Sequence, residues 1–220
     1  MDPQPRRVPP ADESVDALAD RPLAFFNALL TEHFVLESAR GITVNESSSR
    51  ASLYLMTLSS SLVAFGFLAS THFALYFLAV IIPVVFILGV FTYERLVETS
   101  LEDVAALVSI QRIRRYYGTL LPGADRYFPV PTAERAPNEM IDIGQRGYRR
   151  GVFFTISSAI AVINSIVAGS GVSLLVYQPT RSIGIAIGTG AATGAVLIVA
   201  HGAYQEHRYG RHRDIINAQR

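Results

Sequence analysis

The sequence predicts an all-α membrane protein: four transmembrane helices in two hairpins, with cytosolic helical extensions. Three observations carry this. Charged residues make up only 17% of the 220, against about 25% in a soluble domain. The shortfall is concentrated, with 43 consecutive residues free of Asp, Glu, Lys and Arg at 51–93, 30 at 151–180 and 24 at 182–205. Finally, 18 of the 19 Arg lie outside these runs and the two short hairpin loops; the exception is Arg181. This pattern excludes a soluble globular enzyme and a disordered chain. The absence of Cys excludes structural disulfides and thiolate metal sites. All basic residues are Arg, as a GC-rich genome would encode them, and the net charge of +1 provides no field to attract nucleic acid.

The elements follow in chain order. Residues 1–20 are Pro-rich and acidic without an apolar run, so they read as a disordered leader and not a cleavable signal peptide. Residues 21–50 read as a cytosolic amphipathic helix. Asp20 and Pro22 mark its start, and Leu23, Phe26, Leu30 and Phe34 recur at helical spacing, widened by Phe25, Leu29 and Leu36. This face either lies on the membrane or packs on cytosolic neighbours. Gly41 is expected to interrupt the helix. Thr43 and Glu46 have capping-box spacing, and Glu46 and Arg50 form an i,i+4 pair.

A helix needs about 20 apolar residues to cross a ~30 Å hydrocarbon core. The first hairpin, 51–93, therefore holds spans at 51–70 and 73–93, broken at Ser70-Thr71-His72. Val97, Leu101, Val104 and Val108 continue a helical stripe beyond it, with Glu94, Glu98 and Glu102 on another face. This predicts a helix from Phe73 to Tyr117, about 68 Å long, kinked by Pro83 and ending at Gly118. The stripe reads as a contact with the 21–50 helix or with another protomer. The rest of the cytosolic 94–150 segment reads as a Pro-rich loop. The second hairpin, 151–204, holds spans at 152–176 and 183–203, with Pro179 ending the first of these. Residues 205–220 form a basic tail. The Arg distribution places both termini and the middle segment in the cytosol. Tyr54, Tyr93, Tyr148 and Tyr204 then sit near the inner interface, and Tyr76 and Tyr177 near the outer one.

The densest polar cluster is Arg112, Arg114, Arg115, Tyr116 and Tyr117. It reads as a site for an anionic ligand or lipid headgroup, or as a solvated helix end where cations are favoured. Arg146, Arg149 and Arg150, just before the third span, read as headgroup anchors. Gly184, Gly188, Gly190 and Gly194 give small-x-x-x-small spacing twice, which lets helices approach closely in lipid. In the third span, Asn164, Ser157, Ala168, Ala161, Ser165, Ser158 and Gly169 form an arc expected to face protein. Ile160, Val167, Leu174, Ile156, Ile163 and Ile166 form the arc expected to face lipid. Thr57-Leu58-Ser59-Ser60-Ser61-Leu62 echoes Thr155-Ile156-Ser157-Ser158-Ala159-Ile160, as in a duplicated hairpin. The five His show no metal-ligand spacing, and no nucleophile or carboxylate pair gives catalysis a home.

The stretch Asn45-Glu46-Ser47-Ser48-Ser49-Arg50-Ala51-Ser52-Leu53 resembles the entry helix of small bacterial membrane effectors of the Pycsar type. There, an acid followed by a basic-Ala-small step precedes the first span. Those effectors usually have two spans; this sequence has four. The resemblance implies an oligomer that perturbs the membrane after a cytosolic signal. Together these features predict a non-enzymatic inner-membrane protein without cofactor or nucleic-acid partner. It would act as scaffold, sensor or effector through self-association and its cytosolic helices, with the bilayer, further copies and a cytosolic protein as partners. A small channel or transporter without intramembrane charges is the alternative.

Overall fold

The computed structural model describes residues 23–120, 122–127 and 155–218. Among them the chain is all-helical, without strands. Helix α1 spans Leu23–Leu68, α2 Ala74–Gly118, α3 Ile156–Thr180 and α4 Ile183–Ala218, with a short 3₁₀ turn at Ala124–Arg126. Each of the four long helices contains a stretch long and apolar enough to cross a membrane. The leader, residues 128–154 and the last two residues lie outside the described residues.

The chain divides into two compact units. The span unit comprises Thr43–Glu102 and Asp142–Arg220, and the extension unit Met1–Ile42 and Asp103–Ile141. Helices α1 and α2 contribute to both.

In the span unit, Tyr54, Val85, Tyr93, Val97, Ile160 and Tyr209 form the centre of the core. Large apolar residues on the other faces, among them Met56, Phe67, Val80, Phe91, Val196 and Val199, are exposed, as expected of surfaces that hydrocarbon covers. Helix α3 meets α4 almost backbone to backbone: a Cβ on Gly169 would lie 2.6 Å from the Gly190 carbonyl oxygen, and one on Gly194 3.3 Å from that of Ser165.

In the extension unit, Arg40 of α1 donates to Asp103 of α2 at 2.9 Å. Phe25 meets Tyr116 edge-on at 5.9 Å between ring centroids. The two segments are therefore antiparallel. Phe26, Leu29, His33, Leu36 and Arg40, at helical spacing, are the half-buried stripe of α1, and Val104, Ile110 and Ile113 are buried on α2.

Several expectations are corrected. Gly41 does not interrupt α1, which runs unbroken through it. One helical glycine costs about 1 kcal/mol, which is small beside a 46-residue helix whose neighbouring Arg40 is tied to Asp103. Thr43 is consequently mid-helix and caps nothing. Of the expected apolar face, Phe26, Leu29 and Leu36 are half-buried, whereas Leu23, Phe25, Leu30 and Phe34 are exposed. Pro179 does not stop α3 at Val176. The helix runs to Thr180, and Arg181, in the left-handed conformation (φ 49°), closes it by donating its N–H to the Tyr177 carbonyl. In the last turn a proline removes only one helical bond. The tail begins as helix, because α4 continues to Ala218. Ile160, assigned to lipid, is 1% exposed, because α3 is enclosed over a wider arc than its small polar residues mark. Tyr54 and Tyr93, expected near the inner interface, are buried in the core. Tyr76 is exposed, and Tyr148 lies outside the described residues.

Candidate functional site

The polar side chains of the span unit converge where its helices leave their apolar stretches. On α2, Arg95, Glu98, Thr99 and Glu102 follow i, i+3, i+4, i+7 spacing and so share one side of the helix. On α1, Glu46, Ser47 and Arg50 face them. Arg95 donates Nε to Glu46 Oε1 at 2.8 Å and Nη2 to Glu46 Oε2 at 3.1 Å, a two-pronged contact. Its remaining Nη1 reaches Glu98 and Glu102, both at 3.3 Å. Arg50 donates to Glu46 at 2.8 Å, and the hydroxyls of Ser47 and Thr99 are 2.7 Å apart.

The electrostatics follow. The Arg95 guanidinium first, and Arg50 second, hold the Glu46 carboxyl down at about 2. Hydrogen bonds to Glu46 and Glu98 hold Arg95 above the ordinary arginine range. A carboxyl depressed in the fold adds stability above its ordinary value of 4.5, and that stability is lost as pH falls towards 2. Glu46 and Arg95 are thus both charged at neutral pH.

Helices α3 and α4 complete the collar. Thr155 caps α3, accepting from the Ser158 N–H at 3.4 Å. Gln205 of α4, 1% exposed, donates to Thr155 at 3.2 Å and Ser157 at 3.3 Å, and accepts from Ser158 at 3.3 Å. Tyr93 donates to the His201 carbonyl at 2.7 Å, with the two rings edge to face. Tyr204 donates to Glu94 and accepts from Arg208, both at 2.9 Å. Tyr209 bonds Ser100.

Among the described residues buried in the span unit, one side chain keeps an unpaired polar group. Asn164 is fully enclosed; its Oδ1 accepts from the Tyr54 hydroxyl at 3.3 Å, while its Nδ2 has no partner. It fits only because position 89 is glycine: a Cβ there would clash with Asn164 Oδ1.

The residues singled out from the sequence fall in different places. Arg112 and Arg115 are exposed at the end of α2, Arg114 is half-buried, and the Tyr116 and Tyr117 rings are 6.4 Å apart. Tyr116 packs on Phe25, an apolar role for its ring. Arg146, Arg149 and Arg150 lie outside the described residues. Gly190 and Gly194 lie against α3, but a Cβ on Gly184 or Gly188 would meet nothing within 4 Å, so the first small-x-x-x-small pair makes no contact among the described residues. Ser157 and Asn164 are buried. The echoed segments differ locally, since Thr155 is an N-cap whereas Thr57 is mid-helix and donates to the Leu53 carbonyl.

Sequence reasoning missed Arg95, Gln205 and Gly89. Arg95 was legible in part, as the first basic residue after a span with acids three and seven positions on. Gly89 and Gln205 carry no local signal, because their roles depend on which residue of another helix lies opposite. Among the described residues, no group of three or more His, Asp or Glu is placed to hold a metal ion.

The fold and the collar define a multi-pass α-helical membrane protein with four spans. Comparison with family models, curated proteins and solved structures finds no match.

Proposed function

We propose that the chain is a non-enzymatic inner-membrane protein that acts as a scaffold, sensor or membrane effector through self-association, presenting its extension unit to the cytosol. The observation that carries this reading is the division of polar chemistry along the helices. The spans carry no formal charge and the charged side chains lie beyond them, with Arg181 alone in a hairpin loop, while the core within the spans is closed by glycine contacts and one buried amide. Intramembrane ionisable groups mark most ion and proton pathways, and the four spans contain no Asp, Glu, Lys or Arg. This favours an anchor and platform over a channel. The open face of Gly184 and Gly188 is the surface we assign to self-association, because small residues suit close helix contact in lipid. The resemblance of residues 45–53 to Pycsar-type effectors agrees with an oligomer that responds to a cytosolic signal.

Native mass measurement in mild detergent tests the proposal, with a dimer or larger assembly expected; a strictly monomeric chain overturns it. Flux of ions or small solutes through liposomes containing the protein at rest would instead support the channel. Cytosolic termini are tested by single cysteines at positions 15 and 215, a clean experiment in a Cys-free chain. A membrane-impermeant maleimide should label neither in intact cells and both after lysis.

A further inference from the structure

Helix α1 packs on its own chain through residues seven apart. Arg40 bonds Asp103, the Ser47 hydroxyl meets that of Thr99, and Tyr54 bonds Asn164. The opposite side of the helix is uncovered. In the extension unit it carries Phe34, Val35 and Ile42, and in the span unit Leu55, Met56, Leu62 and Val63, all exposed.

Three features of this side identify what covers it. The first is spacing. Val35, Ile42, Met56 and Val63 fall at multiples of seven, with Ser49 filling the gap. Ser38, Asn45, Ser52, Ser59 and Gly66 each follow three residues later, and all are exposed. A strict 3.5-residue repeat drifts about 20° per heptad around a straight helix, so it suits a second helix that supercoils with this one. Lipid imposes no such repeat. Small residues alternate with the larger ones, which lets a second backbone come close. A Cβ on Gly66, or on Gly41 beside the row, would meet nothing within 4 Å among the described residues.

The second feature is charge. Within the two rows and the positions flanking them, from Asn27 to Phe67, only Glu32 and Glu46 are charged. Glu37, Arg40 and Arg50 lie on other faces. In a parallel coiled coil the flanking positions of one helix meet those of the other. Paired with a copy of itself in register, Glu32 comes opposite an Asn27 and Glu46 opposite a Gly41, so no like charges meet. The third feature is Asn45. A polar side chain in a coiled-coil seam specifies register, and in a parallel self-pair the two Asn45 amides lie side by side. A second copy, crossing the same membrane in the same direction, supplies all three matches at once.

We propose that α1 pairs with α1 of a second copy as a parallel, left-handed coiled coil along this side. The pairing rests on the self-association proposed above, and it adds a second surface, on the other hairpin, to the α4 face.

Disulfide trapping tests it. The full-length chain, which has no Cys of its own, is reconstituted in phosphatidylcholine vesicles at a high lipid-to-protein ratio, so that chance encounters are few. Single cysteines are placed in the row, Ser38→Cys and Ser52→Cys, and on a different exposed face, Leu30→Cys and Val44→Cys. A disulfide needs Cα atoms within about 7 Å. After mild oxidation the two row positions should give at least fivefold more covalent dimer than the other two. Adding Ile42→Asp to Ser38→Cys sets two carboxylates against each other in the pair and should lower its dimer yield at least fivefold. Adding Leu30→Asp, also exposed but off the row, should leave that yield unchanged. Equal yields at all four positions, or a yield indifferent to Ile42→Asp, would overturn the pairing; an assembly still present by native mass would then show that self-association stands and uses another surface. A strictly monomeric wild type would overturn both.

Discussion

The two hairpins are joined by different chemistry. Helices α3 and α4 meet through glycine backbone, with Gly169 and Gly194 each facing a carbonyl of the other helix. The α1–α2 pair is instead clamped by long charged side chains, Arg95 on Glu46 with Arg50 beside it. Position along the membrane normal explains the difference. Inside hydrocarbon there is no hydrophobic force between helices, and close van der Waals packing of small residues does the work. Charges are admissible only past the spans, where solvent lowers the cost of carrying them. A glycine contact tolerates no added atom, whereas a charged clamp loses strength by degrees. The hairpins should therefore differ sharply in their response to substitution.

The largest effect is expected at Gly190. A Cβ there would lie 2.5 Å from the Gly169 carbonyl oxygen and clash with Ser173 Oγ as well, and backbone cannot step aside. Gly190→Leu should destabilise the span unit by about 3 kcal/mol, the upper end of typical overpacking costs. Unfolding in a denaturing-detergent titration followed by circular dichroism reads this directly. A midpoint equal to the wild type would show that α3 and α4 are not held at this distance.

This contact also shows how far the sequence could be read. The four helices, their hairpin pairing and the small-residue character of α4 were legible, because a 20-residue charge-free stretch and a glycine repeat are local patterns. Which glycines make the contact was not. Gly184 and Gly190 are chemically identical and six residues apart, and only the rotation and crossing of α3 decide that one is covered and the other open. The same holds for the candidate site. Glu46 and Arg50 were readable as an i,i+4 pair, but Arg95 reaches Glu46 from 49 positions away. Gly41 and Pro179 misled for the opposite reason, since a local breaker was outweighed by helix on both sides or placed in a last turn with one bond to lose.

Next is Gly89, whose missing Cβ makes room for a side chain instead of backbone. Gly89→Ala should cost about 2 kcal/mol, and Asn164→Ala alone about 1 kcal/mol for the lost bond to Tyr54. The double variant should recover most of the Gly89→Ala loss, because the clash is with Asn164 Cγ, Oδ1 and Nδ2, the atoms that truncation removes. Simple additivity in a double-mutant cycle would mean that the two residues do not share this space.

The charged clamp should respond more gently. With Arg95 and Arg50 present, the Glu46 carboxyl titrates at about 2. In Arg95→Ala its midpoint, followed by carboxyl carbon NMR, should move up towards 4.5, stopping short because Arg50 remains; Arg50→Ala should move it less, being the second cause. The protein should stay folded in both, losing only acid resistance between pH 4.5 and 2. Equal shifts in the two variants would assign the clamp to the neighbouring turn of α1 and not to α2.

The smallest effect on stability, and the one that tests function most directly, is expected at Gly184 and Gly188. Among the described residues, a Cβ on either would meet nothing within 4 Å, so Ala at each should fit and stabilise α4 by no more than about 1 kcal/mol each through helix propensity. Against this quiet background, association becomes readable. If α4 meets a second copy through this face, Gly184→Leu and Gly188→Leu should shift native mass from assembly to monomer while the unfolding midpoint of the monomer stays put. Gly190→Leu would do the reverse, lowering the midpoint first. An assembly undisturbed by Leu at both 184 and 188 would locate self-association on another surface, and α4's open glycines would then face only lipid.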